Sequence, residues 1–280
     1  EIMWIGTGPE GQVLKVTHEG ALDGWDARGS ALSPRPLAAA ALAAAVAPDG
    51  RHIVLAVPDG ARLLDLADGT SHALPGHRGS VTALAFAPDG RLLATGAADR
   101  IARIYDLAAL AAPPRELGPH SGSVTVLAFA PDGRRLATGS WDRRVRIWST
   151  SGGAPTVLAD HGGPVRALAW RPDGGALASA GDDGDVRVWP LDDRDDPVVL
   201  AGHQGPVRAL AWSPGGGALA SAGDDGHLRI WAADFTPAAL KARLRAASPV
   251  CLSARQRGQL LGEPRPLAEA NARACQAGGA

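Results

Sequence analysis

Four histidines, His77, His120, His161 and His203, each precede an aspartate by 22 residues (Asp99, Asp142, Asp183, Asp225). Each also precedes a hydroxyl residue by 18 (Thr95, Thr138, Ser179, Ser221). Carboxylate, imidazole and hydroxyl are the parts of a hydrolytic triad, in which the imidazole activates the hydroxyl and the carboxylate orients the imidazole. A hydrolase needs one activated nucleophile beside one oxyanion hole, so four equivalent sets argue against catalysis. Their repetition favours a structural role.

Other chemistries find less support. The acidic runs Asp192 to Asp196 and Asp182 to Asp185 invite a calcium reading, but neither has the central Gly and terminal Glu of the twelve-residue calcium loop. Charge runs of this kind read as solvated loops. Lys occurs only at 15 and 241, and neither follows the glycine-rich pattern of a phosphate-binding loop. A net charge of −1 removes the global case for nucleic acid. Cys251 and Cys275 lack zinc-ligand spacing. They are read as a reduced buried pair, with a disulfide as the alternative. No cofactor and no metal site is expected.

The elements that position these residues are repeats. GHRGSVTALAFAPDGRLLATGAADRIARIYD, from Gly76, recurs from Pro119, Asp160 and Gly202, with the histidines 43, 41 and 42 residues apart. An aromatic closes each copy 28 residues after the His: Tyr105, Trp148, Trp189 and Trp231. Two weaker copies precede these, around Pro9-Glu10-Gly11 and Pro48-Asp49-Gly50, without the Gly-His start. Alternating runs such as VTALAF, Pro-Asp-Gly turns and short fourth runs (Thr156 to Leu158, Val198 to Leu200) spell four strands per unit. Leu37 to Ala47 has helical propensity, yet its alignment makes it a strand. At eleven residues it is too short to span a bilayer. With 36 Gly and 22 Pro the chain is too turn-rich for a helical bundle.

This pattern resembles a WD-repeat β-propeller over residues 1 to 232, with the first two blades degenerate and the next four well formed. Departures are Tyr105 for Trp, Pro119 and Asp160 for Gly, and Trp-Ser, Trp-Pro or Trp-Ala for Trp-Asp. The resemblance implies an all-β fold of about six WD-like blades. It also implies that the Asp accepts from His, His from the hydroxyl, and the hydroxyl from the closing indole N–H. Tyr105 is expected to reach the network through its phenol. The first two blades, without the His, are expected to hold together by apolar packing and to be looser. Only five of the six units are followed by a fourth strand. The ring is therefore either incomplete, a part of a larger one, or closed irregularly by the termini. Residues 233–280 read as a helical tail packing on the propeller, with starts at Thr236-Pro237, Ser253 and about Pro266. The tail resembles that of large bacterial WD-repeat signalling proteins.

Function follows from that resemblance: a non-catalytic scaffold or sensor that docks a protein or peptide on the top face, with no nucleic acid and no membrane. An upstream signalling domain, fused or separate, and a cytoplasmic location go with it. The first residue, Glu1, leaves room for a processed or truncated start. Carried over onto this chain, the contact positions are Thr82, Thr125, Arg166 and Arg208 beside the first strand's leading Val, with Trp141, Asp182 and Asp224 before the structural Asp. Ser80, Ser123, Pro164, Pro206 and Ala98 share the same positions. Trp141 stands out, because its counterparts are Ala and Asp and an exposed Trp beside Arg is the composition of an interface anchor. Arg166 and Arg208 are expected to alternate with Asp182 and Asp224. Trp170 and Trp212 replace Phe86 and Phe129 and read as core. The alternatives are an enzyme with a site in the central channel and a structural self-assembly domain.

Overall fold

Two alternating runs joined by Pro-Asp-Gly fold as a hairpin because each residue of the turn has a task. In the turns at Asp49, Asp89 and Asp132 the carboxylate accepts the N–H two residues on, at 2.8–2.9 Å. The following Gly50, Gly90 and Gly133 take φ of 64°, 72° and 66°, a left-handed backbone that favours glycine. The structure is a computed structural model that describes residues 2–7, 13–17, 21–25, 28, 31–36, 41–158, 161–191 and 196–232, with Pro266 and Glu269.

Six antiparallel sheets result among the described residues, each with its strands paired in chain order. The first contains β1 (Ile2–Thr7), β2 (Val13–Thr17), β3 (Ala21–Trp25) and β4 (Ala31–Pro36). The second contains β5 (Ala43–Val46), β6 (His52–Val57), β7 (Gly60–Asp65) and β8 (Ser71–Leu74). In the third are β9 (Val81–Phe86), β10 (Leu92–Ala97), β11 (Ala102–Asp106) and β12 (Arg115–Leu117). The fourth has β13 (Val124–Phe129), β14 (Arg135–Ser140), β15 (Val145–Ser149) and β16 (Thr156–Val157). The fifth has β17 (Val165–Trp170), β18 (Ala176–Gly181), β19 (Val186–Pro190) and β20 (Val198–Leu200). The sixth, with three strands among the described residues, has β21 (Val207–Trp212), β22 (Ala218–Gly223) and β23 (Leu228–Ala232). Five sheets of four strands and one of three is the count that the sequence units predict. Ala43–Val46 is a strand, as the repeat alignment requires against the helical propensity of its alanines.

First strands pack in succession: β1 on β5, β5 on β9, β9 on β13, β13 on β17 and β17 on β21. The core is therefore divided among the gaps between sheets. Ala94, Ala102 and Ile104 of the third sheet pack with Val124, Leu127, Leu136 and Trp148 of the fourth. Ala137 and Val145 of the fourth pack with Val165, Leu177 and Trp189 of the fifth. Small residues of one sheet thus meet large ones of the next. Gly96 shows how close the approach is, since a Cβ there would lie 2.6 Å from Val124 Cγ1. The far face of the sixth sheet is different. Leu228 and Ile230 are 70% and 72% exposed, whereas Ala102 and Ile104, at the same repeat positions, are 0% and 3% exposed. Among the described residues no further sheet packs there.

Residues 1–231 form one unit and 232–280 another. In the second, Pro266 and Glu269 are helical. The helix starts at Thr236 and Ser253, and both cysteines, lie outside the described residues, as do residues 192–195 of the acidic loop. Among the described residues no helix is long and apolar enough to cross a membrane.

Candidate partner-binding face

Hairpin ends alternate, so the Pro-Asp-Gly turns gather at one end of the sheets. The loops before the first strands and the turns between second and third strands gather at the other, the upper face. Each upper corner is clamped by its aspartate. Asp99 accepts the Arg78 N–H at 3.0 Å and the Ile101 N–H at 3.2 Å, and lies 3.0 Å from His77 Nδ1. Burial alone would raise its carboxyl, but the Arg78 N–H, His77 and Arg103 pull it down to about 2.

The structure brings all four His-centred sets together, with differences between sheets. In the sixth, Trp231 Nε1–H donates to Ser221 Oγ (2.9 Å), which lies 2.8 Å from His203 Nε2, and His203 Nδ1 lies 3.0 Å from Asp225. The fifth repeats this through Trp189, Ser179, His161 and Asp183, at 2.8, 2.7 and 3.0 Å. In the third, Thr95 is 2.6 Å from His77, and Tyr105 fills the indole's place. Its hydroxyl donates to the Pro75 carbonyl at 2.8 Å and also meets the Thr95 hydroxyl, so the phenol reaches the network, as the sequence predicts, and ties it to backbone as well. Burial raises this phenol's pKa.

The fourth sheet departs furthest. Trp148 donates to Thr138 at 3.0 Å, but His120 stands 3.4 Å from Thr138. Arg146 intervenes between His120 and Asp142, with one amino group 2.8 Å from His120 Nδ1 and the other 2.9 Å from Asp142. A guanidinium only donates, so Nδ1 is here an acceptor and the ring proton sits on Nε2. Burial, and then the Arg146 charge, push the His120 pKa down to about 4.

This arginine has a counterpart in every set, a feature that the sequence reading missed. Arg103 pairs with Asp99 and Glu116 at 2.9 and 2.6 Å, and Arg187 with Asp183 and Asp185 at 2.6 and 3.2 Å. Arg229 is 3.8 Å from Asp225. Arg103 and Arg146 are buried. The signal was present, since each Arg follows its His by 26 residues. The pairs also neutralise the second acidic run: Asp183 and Asp185 face Arg187, and Asp182 faces Arg166.

Around these clamps lie the rim positions. Trp141 is 55% exposed, and the Arg166 guanidinium sits 5.2 Å from the centre of its ring. Arg166 grips Asp182 with two bonds of 2.8 and 2.7 Å, and Arg208 grips Asp224 with bonds of 2.9 and 2.6 Å. Arg208 also stands 3.5 Å from Asp182. Trp141, Arg166, Asp182, Arg208 and Asp224 therefore form one connected ladder across the fourth, fifth and sixth sheets. Its arginines hold both carboxyls below their ordinary range.

Thr82 and Thr125 do something else. Thr82 donates to the Val124 carbonyl of the next sheet, and Thr125 lies 2.5 Å from the Val165 carbonyl. Their hydroxyls tie neighbouring sheets, a role that the sequence does not announce. Trp170 and Trp212 tie sheets likewise, donating to Ala128 and Ala169 carbonyls at 2.9 and 3.0 Å.

Repeated antiparallel sheets of four strands, with a His-centred set and a closing aromatic recurring in the third to sixth, define a WD-repeat β-propeller. The family model for the WD domain, G-beta repeat, matches residues 69–106, 112–149, 154–190 and 197–232, more than half of the chain. The chain belongs to this family, whose members are generally non-catalytic and mediate protein–protein interaction. A search of curated proteins found no match.

Proposed function

We propose that this propeller is a non-catalytic docking module that takes a protein or peptide partner on its upper face, with Trp141 as the anchor and the Arg166–Asp182–Arg208–Asp224 ladder as the flanking surface. One observation carries the proposal. A large aromatic stands exposed at a position that other sheets fill with Ala98, Asp182 or Asp224, and a cation already ion-paired to Asp182 braces its ring. The fold does not need a Trp there, and interface hot spots favour Trp and Arg. A place as the scaffold or sensor end of a larger, cytoplasmic bacterial signalling protein is supported by the repeats and by the resemblance of residues 233–280 to such tails.

A photo-crosslinking residue at position 141, compared with one at position 132 on the Pro-Asp-Gly face, tests this. Partner adducts are expected from 141 and are expected to weaken in the Arg166→Ala background. Adducts from 132 alone would overturn the assignment.

A further inference from the structure

The upper face of the third and fourth sheets carries three arginines that no repeated role explains. Arg78, Arg100 and Arg143 are exposed, and none has an ion-pair partner among the described residues. Their loops are linked along one rim by backbone. The Arg78 N–H donates to Asp99, next to Arg100; the Arg100 carbonyl accepts the His120 N–H at 2.9 Å. Ser121 then donates to Asp142, next to Arg143, whose carbonyl accepts the His161 N–H at 2.9 Å. Trp141 stands in the same turn as Arg143, two residues away.

Local carboxylates do not neutralise this row. Asp99 faces His77 and Arg103, Glu116 faces Arg103, and Asp142 faces Arg146. Nor does blade geometry require the side chains. Arg100 and Arg143 have φ of 69° and 70°, while Gly184 and Gly226 hold the same repeat position in the fifth and sixth sheets at 77° and 73°. A left-handed backbone is strained for arginine and relaxed for glycine. Two cations are thus kept where glycine fits better.

We infer that Arg78, Arg100 and Arg143 form a cationic row that receives an acidic, Asp/Glu-rich peptide segment, with an apolar side chain of the same segment resting on Trp141. The inference rests on the docking function proposed above and names its partner's chemistry. Charge complementarity selects the ligand: three unpaired guanidiniums beside an aromatic match carboxylates flanking an apolar residue. A long nucleic acid is a poorer match, because the neighbouring sheets continue the face with Asp182 and Asp224 and the chain's net charge is −1.

Fluorescence anisotropy on the full chain tests this with three labelled probes: a Glu-rich dodecapeptide containing one Leu, a Lys-rich counterpart of the same length, and an oligo-dT. The Glu-rich peptide is expected to bind, to weaken with added salt, and to lose about 10-fold in affinity in the Arg100→Gly/Arg143→Gly double variant. The melting temperature of that variant is expected to hold or rise, which a structural role would not allow. Arg100→Asn/Arg143→Asn, also compatible with positive φ, gives a second route to the same loss. Equal binding of the Lys-rich peptide, equal binding of oligo-dT, or undiminished affinity in both double variants would overturn the inference. Loss of binding in Trp141→Ala with none in the arginine variants leaves the docking face standing and removes the acidic ligand. The reverse pattern keeps the row and removes Trp141 as anchor.

Discussion

The third and fourth sheets and the fifth and sixth share a clamp but differ at three positions around it. Before the structural aspartate the first pair carries Ala98 and Trp141, the second Asp182 and Asp224. After it stand Arg100 and Arg143 in one pair and Gly184 and Gly226 in the other. On the first strand, Thr82 and Thr125 tie one sheet to the next, whereas Arg166 and Arg208 grip rim carboxylates. One half of the face is therefore neutralised by its own ion pairs, and the other is cationic and carries the exposed aromatic. The difference separates fold from function: the clamp is common to all four sheets, and the three positions beside it are where a binding surface is written.

That separation can be broken most sharply at adjacent residues. Asp183→Ala strips buried His161 of its carboxylate, leaves Arg187 with Asp185 alone, and is expected to cost about 3–5 kcal/mol in urea unfolding. Asp182→Ala, at the rim, is expected to cost less than about 1 kcal/mol. Equal losses would show that rim and clamp are one structure. A second contrast uses a single repeat position. Ile104→Ala, in the gap between the third and fourth sheets, is expected to cost about 2–5 kcal/mol. Ile230→Ala, at the exposed end of the series, is expected to cost less than about 1 kcal/mol. Matching values would mean that the sixth sheet's far face is covered in the full protein.

Acid sharpens the comparison within the clamp itself. His120 has a folded pKa of about 4 against an ordinary 6.5, so the unfolded chain takes up its proton first as pH falls. Stability is expected to be full above pH 6.5 and to fall between 6.5 and 4 by up to about 3 kcal/mol from this group alone. His120→Gln is expected to flatten that window. Asp99, held at about 2 against 3.8, supports the fold above 3.8 and loses that support as pH falls toward 2. The smallest effect is at the strained turns. Arg100→Gly and Arg143→Gly are expected to change stability by about 0–1 kcal/mol each, in the stabilising direction, because relief of positive φ is partly offset by the greater freedom of glycine when unfolded. A clear destabilisation would give those side chains a structural role.

The clamp was legible because His, Asp, hydroxyl and aromatic recur at fixed spacing, and only a structural need repeats so regularly. The partner arginines, Arg103, Arg146, Arg187 and Arg229, recur just as regularly and were still missed. An Arg flanked by Ile or Val on a strand ordinarily points to solvent, and the chain's general excess of Arg hid these four. The burial of Arg103 and Arg146 becomes intelligible only with Asp99 and Asp142 beside them. The inter-sheet bonds of Thr82 and Thr125 were missed for a related reason. A hydroxyl that bonds the next sheet depends on the distance between sheets, which no one-dimensional pattern carries. The strain at Arg100 and Arg143, by contrast, was written in the alignment, where Gly184 and Gly226 mark a position that wants no side chain.

Hydrogen exchange of the chain with and without the bound Glu-rich peptide tests the central claim, that ligands dock on the upper face over the third and fourth sheets. Slowed exchange is expected at residues 98–101, 119–123 and 141–144, with residues 88–90 and 131–133 at the opposite end unchanged. Protection confined to those opposite turns would contradict it.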